Sequence, residues 1–230
     1  MNIADQIQVV RLNMAKYCAQ YNREEEQVRL LAVSKTHPVE MIQQAYDNGI
    51  TEFGESYLQE ALKKIEYFKK QRVVWHFIGP LQSNKSRQIA ENFDWVQSVD
   101  REKILVRLNE QRPMTLGRLQ ICIQANLFDE PQKKGATLPQ LSSLLEIASE
   151  LPHIKLRGLM VIPPKQTSYQ AQKDQFSEVE AIYNQFKQEY AQMDTLSMGM
   201  SSDMQTAIAC GSNMVRVGTD IFGVRGTNHQ

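Results

Sequence analysis

The chain has 230 residues, 42% of them hydrophobic, and its 26 Lys and Arg balance 26 Asp and Glu to a formal net charge of zero. That balance argues against a nucleic-acid binder, because affinity for a phosphate backbone needs a clustered cationic surplus, and the basic clusters here are short: Lys63-Lys64, Lys69-Lys70 and Lys133-Lys134. Eleven glycines and eight prolines are below ordinary usage, so the composition suits an ordered core, and no apolar run approaches the roughly 20 residues of a membrane span. The opening Met-Asn-Ile-Ala-Asp-Gln has no cationic segment followed by an apolar block, which speaks against export. Cys18, Cys122 and Cys210 are odd in number and lack CxxC spacing, which fits a reducing compartment. The expectation is a soluble, cytoplasmic protein without membrane or nucleic-acid partners.

Along the chain one unit recurs: a short apolar run, a turn and an amphipathic helix. After an N-terminal helix of about 28 residues, the runs are 29–34, 51–54, 73–78, 95–99, 118–124, 154–160, 195–198 and 214–217. The helical pattern is clearest over 169–190, where Phe176, Val179, Ile182, Tyr183 and Phe186 fall three and four apart. Ser83 and Ser202 read as N-caps, Gly49 and Gly211 as residues just past a helix end. Eight strands alternating with helices imply a parallel sheet, and eight is the number that closes a (β/α)8 barrel, at about 25 residues per unit. The rival architecture is an open doubly wound sheet. No linker or like-charge block separates a second domain, so residues 1–230 read as one α/β barrel domain.

Active sites of such barrels lie at the C-terminal ends of the strands. The first run ends on Lys35, and alternation puts Leu31, Val33 and Lys35 on one face. If that face points inward, the ammonium sits over an apolar floor, where desolvation favours the neutral amine that Schiff-base chemistry needs; otherwise Lys35 simply leaves a strand into solvent. In the last run Met214, Arg216 and Gly218 share a parity. Arg216 has no acidic neighbour in sequence and either snorkels outward or faces a ligand that accepts hydrogen bonds. Gly218-Thr219 follows the eighth run, and Gly199-Met200-Ser201-Ser202 precedes a short helix over 203–210. Loops after strands seven and eight often hold a phosphate through backbone N–H groups and a helix N-terminus. Asp203 would repel one and should face away. In a closed barrel these features surround one mouth, and a ligand using an aldehyde, a ring nitrogen and a phosphate together is pyridoxal 5′-phosphate.

Ala32-Val33-Ser34-Lys35-Thr36, Phe53-Gly54-Glu55, the run from Trp75-His76-Phe77-Ile78-Gly79-Pro80 to Lys85, Leu156-Arg157-Gly158-Leu159-Met160, Ser197-Met198-Gly199-Met200-Ser201 and Val215-Arg216-Val217-Gly218-Thr219 with Ile221-Phe222-Gly223 span nearly the whole chain. In these stretches the sequence resembles the pyridoxal phosphate homeostasis proteins, also called proline synthetase co-transcribed homologues, and the barrel domain of fold-type III alanine racemases. The resemblance implies that Lys35 is the Schiff-base lysine, that Arg216 faces the pyridine nitrogen, and that Ser201, Gly218 and Thr219 hold the phosphate, with Met200 close by. Ser56 stands where the family usually has Asn, which implies a shorter or water-bridged polar contact at the mouth.

An arginine beside the ring nitrogen donates a hydrogen bond but keeps its proton, so the ring stays a poor electron sink for carbanions. Racemases of this type take a second base from an extra β-domain, for which this chain has no residues. His76 is the internal candidate for such a base, although its mid-strand place suits a hydrogen-bonded core histidine. His37, His153 and His229 lack metal-ligand spacing, and no HExxH, Walker glycine loop, GxSxG or dinucleotide motif occurs. Met160, Met198, Met204 and Met214 read as packing, and 82–87 as a solvated helix start. The reading that follows is a non-enzymatic carrier, monomeric, holding pyridoxal phosphate on Lys35 and supplying dependent apoenzymes. A weak racemase or decarboxylase and a cofactor-free barrel hydrolase or isomerase are the alternatives.

Overall fold

A computed structural model of the chain describes residues 2–128, 130 and 134–224. His229 and Lys133 lie outside the described residues. Among these, β1 (Arg29–Val33), β2 (Glu52–Glu55), β3 (Val74–Phe77), β4 (Trp95–Val99), β5 (Leu119–Ala125), β6 (Ile154–Val161), β7 (Thr195–Ser197) and β8 (Met214–Val217) pair in parallel in sequence order. β8 then returns to β1, pairing Arg29 with Met214 and Leu31 with Arg216, so the sheet closes into a barrel. The open doubly wound alternative is excluded.

The helices α1 (Ile3–Gln20), α2 (Val39–Asp47), α3 (Leu58–Tyr67), α4 (Ser86–Asn92), α5 (Glu102–Gln111), α6 (Leu138–Glu150), α7 (Tyr169–Glu189), α8 (Met204–Ala209) and α9 (Thr219–Phe222) follow the 3.6-residue apolar period. α1 starts at an Asn2–Asp5 capping box and buries Ile3, Ile7, Val10, Met14 and Cys18. It ends at residue 20 rather than near 28, because the polar stretch from Asn22 to Glu26 offers no apolar face and Asn22 turns left-handed at φ 53°. Gly49 and Gly211 end α2 and α8 at φ 81° and 79° as expected.

The two serine caps are corrected. Ser83 sits in a 3-10 turn and its carbonyl accepts from Ser86 Oγ, α4 beginning only at Ser86. Ahead of α8 the cap position belongs to Asp203, whose carboxylate accepts the Met200 N–H. That carboxylate bonds backward onto the loop and not into the helix, and Ser202 stands one residue ahead of the cap position.

Alternation along the strands divides the apolar residues. Ala32, Phe53, Val96 and Val215 join the main core between sheet and helices, whereas Leu31, Trp95, Cys122, Met160 and Met214 form a separate cluster inside the barrel. At the N-terminal ends of the strands, Arg29 makes a two-pronged contact with Glu52 at 2.7 and 3.1 Å, and Arg157 makes another with Asp194 at 2.7 Å on each prong. The two guanidinium carbons lie 4.6 and 4.4 Å from the Trp95 ring centroid, so this end is plugged by paired charge and an aromatic ring.

Candidate functional site

At the opposite end, the C-terminal ends of β1, β6 and β8 and the loops beyond β7 and β8 surround a cavity of about 630 Å³. Lys35, Met200, Ser201, Arg216, Gly218 and Thr219 all line it. The inward parity inferred for β1 and β8 therefore places both cations at one mouth. Ser56 is not among the lining residues: its backbone packs on Gly79, where a Cβ would come within 2.1 Å of the Ser56 carbonyl oxygen.

The backbone that carries Lys35 is anchored from behind. Lys64, on α3, is buried and donates to the Ser34 carbonyl at 2.9 Å and to Glu55 at 2.8 Å, and it also pairs with Glu60. Ser34 donates to the same Glu55 oxygen at 2.6 Å, and the Thr36 N–H donates to Glu60 at 2.7 Å. Thr36 has φ 67°, a left-handed conformation that is strained for a β-branched residue and persists only where surrounding contacts impose it. Burial pushes the Glu55 carboxyl up from its usual range, against the pull of Lys64. Of the short basic cluster Lys63-Lys64, Lys64 continues the buried stripe Leu58, Ala61, Lys64, and that spacing is the signal in the sequence.

Arg216 is 5% exposed and does not snorkel. Its guanidinium donates to Ser197 Oγ at 2.8 Å and to the Val161 carbonyl at 3.0 Å, which accounts for two of its five N–H bonds. Among the described residues no carboxylate pairs with it. Burial lowers its pKa to about 10, with Asp203 opposing, so it stays charged at neutral pH. Asp203 is held above its usual value by burial and turns back onto Met200 rather than into the cavity.

Beyond β7 and β8 the wall carries the hydroxyls of Ser201, Ser202 and Thr219. Gly218 leaves a Cβ only 3.2 Å from the Val33 carbonyl oxygen, so a larger residue would press on the end of β1. With six and four residues, α8 and α9 are too short to add much helix dipole. Charge at the mouth therefore comes from side chains: Lys35, Lys165 and Arg216 against Asp220. Sequence reasoning missed Lys165 and Asp220; Lys165 belongs to an irregular segment after β6 that carries no periodicity.

His76 lies away from the cavity, fully buried, with Nδ1 2.9 Å from Gln97 and its ring stacked 5.1 Å from Trp95, which is the core-histidine arrangement. Met198, Met204 and Met214 are buried as packing, while Met160 also floors the cavity. Among the described residues there is no metal-binding cluster and no helix long and apolar enough to cross a membrane.

Residues 8–226 match the family model for the alanine racemase N-terminal domain. The pyridoxal phosphate homeostasis protein of Haemophilus influenzae is 47% identical over 229 residues, covering 98% of this chain and 97% of that protein. The chain belongs to the pyridoxal phosphate homeostasis protein family. The solved structure of PipY from Synechococcus elongatus with PLP bound is similar at a TM-score of 0.84 and 33% identity, over 96% of this chain and all of that one. Alanine racemase of Clostridium difficile shares the fold, at a TM-score of 0.77 and 12% identity; the match covers 99% of this chain and 58% of the racemase.

Proposed function

We propose that this protein is a single-domain, monomeric, cytoplasmic carrier that binds pyridoxal 5′-phosphate reversibly through Lys35 and takes part in intracellular vitamin B6 homeostasis without being an enzyme itself. The observation that carries the reading is the buried Arg216 guanidinium, which lines a cavity with Lys35 and has no described carboxylate partner: a ring nitrogen accepts what it offers. The surplus of cations at the mouth suits a phosphate. When bound, the cofactor would supply an aldehyde that condenses with a primary amine and releases water; water reverses that condensation, and a second amine exchanges with the first.

Each side chain then has one task. Lys35, which lines the cavity together with the apolar Val33, Ile78 and Met160, attaches the ligand through Nζ. Arg216 orients it by donating a hydrogen bond while keeping its own proton, since a group titrating near 10 does not release one at pH 7. Ser201, Thr219 and the Gly218 backbone hold the anionic end, with Met200 beside them. Ser56, set back against Gly79, reaches a ligand only through water. The names of the curated relatives and the PLP-bound PipY structure support the same ligand.

The shared racemase fold favours a second reading, a weak amino-acid racemase. The racemase reading requires a base facing Lys35 across the substrate, and the remaining ionisable residues on the described wall are Lys165 and Asp220. Borohydride reduction after incubation with pyridoxal phosphate, followed by peptide mapping, is expected to label the peptide containing Lys35 and to label nothing in Lys35→Ala. Label on another lysine overturns the assignment, and D/L-alanine exchange that is lost in Lys35→Ala overturns the non-enzymatic part.

A further inference from the structure

Barrels of this class are usually filled along their axis by branched apolar side chains. Here the apolar interior cluster is accompanied by polar side chains: His76, Gln97 and Ser197 are each fully buried. They are linked. Arg216 donates to Ser197 Oγ at 2.8 Å, Ser197 Oγ donates to Gln97 Oε1 at 2.6 Å, and Gln97 Nε2 faces His76 Nδ1 at 2.9 Å. His76 Nε2 lies 3.2 Å from Glu52 Oε2, a bent contact outside strict hydrogen-bond geometry. Glu52 in turn carries the ion pair with Arg29.

The chemistry of the groups fixes the direction of every link. A guanidinium only donates, so the Ser197 oxygen accepts from it and its single proton goes to Gln97 Oε1. That places the Gln97 amide nitrogen, a donor, against His76 Nδ1, which must accept; the ring proton then sits on Nε2, facing the Glu52 carboxylate. Flipping the Gln97 amide would point its N–H groups at a hydroxyl whose proton then has no acceptor and would turn a bare Nε2 lone pair toward Glu52.

We propose that Ser197 and Gln97 are positioning residues for cofactor binding, forming with His76 a one-directional hydrogen-bond relay that fixes the Arg216 guanidinium and ties it to the Arg29–Glu52 pair at the far end of the barrel. This rests on the cofactor reading above. Buried polar side chains cost stability relative to apolar ones of the same shape. Their presence behind the guanidinium that lines the described cavity is accounted for by the acceptor they give it. The charged groups facing His76 are Glu52 from β2, Arg29 from β1 and Asp94 from the turn before β4.

The test titrates pyridoxal phosphate into wild type, Ser197→Ala, Ser197→Thr and Gln97→Met, following the absorbance of the bound cofactor, with melting of the ligand-free proteins measured alongside. Ser197→Ala and Gln97→Met are expected to weaken binding about tenfold while the ligand-free proteins stay folded, and Ser197→Thr, which keeps the hydroxyl, to recover wild-type affinity. Unchanged affinity in Ser197→Ala and Gln97→Met, or a threonine variant as weak as the alanine one, overturns the relay. Nitrogen NMR of the ligand-free protein supplies an independent arm: a proton on His76 Nε2 is expected, and one on Nδ1 overturns the proposal. Wild type that takes up no cofactor defeats the functional reading instead, and the tautomer still reports whether the relay exists.

Discussion

The two ends of the barrel use charge in opposite ways. At the N-terminal end, Arg29 pairs with Glu52 and Arg157 with Asp194, and both guanidinia lie on the Trp95 ring. At the C-terminal end, among the described residues, three cations share a cavity wall with one carboxylate. At one end charges of opposite sign are paired across neighbouring strands; at the other, cations outnumber carboxylates on the described wall of an opening. Lys35 belongs to both, because it lines the cavity while the backbone beside it is held by the buried contacts of Lys64 with Ser34 and Glu55.

The contrast is sharpest if the plug is removed. Trp95→Ala deletes a 4%-exposed indole from the interior cluster and is expected to cost about 3 to 5 kcal/mol in denaturant unfolding. Cofactor affinity of the folded fraction should change far less, and an equal loss of affinity would erase the distinction between the ends. Arg216→Leu is the reverse case. Loss of its charge-assisted hydrogen bond should weaken cofactor binding by about 1 to 3 kcal/mol in a titration, while the melting temperature holds or rises, since a buried guanidinium without an ion partner is costly. A large drop in melting temperature would return Arg216 to the fold.

The smallest effect concerns pH. Burial holds the His76 imidazole below its usual value, against the attraction of Glu52. On acidification the unfolded chain takes up this proton near about pH 6.5, while the folded protein does not, so stability falls as pH drops below that point until the lowered folded value is reached. The slope is at most about 1.4 kcal/mol per pH unit. Burial of Glu55 acts in the opposite sense nearer the carboxylate range. His76→Gln should flatten the loss between pH 7 and 6, and an unchanged slope would assign it to other groups.

The sequence by itself carried most of the frame. Apolar runs have a period of two or a length of four to eight whatever surrounds them, so the strand positions, the closure at eight and the inward parity of Leu31, Lys35, Met214 and Arg216 were legible from local pattern. Six residues of the cavity wall were legible for a related reason: they stand at strand ends or in the loops that follow, where chain order already implies location. The network of Ser34, Glu55, Glu60 and Lys64 and the relay from Arg216 to Glu52 were not legible. Their directly bonded partners lie up to a hundred residues apart, as Ser197 and Gln97 do, and a buried hydrogen bond depends on distance, donor direction and exclusion of water. Periodicity fixes which face a side chain takes; only the closed barrel decides which polar groups meet inside it.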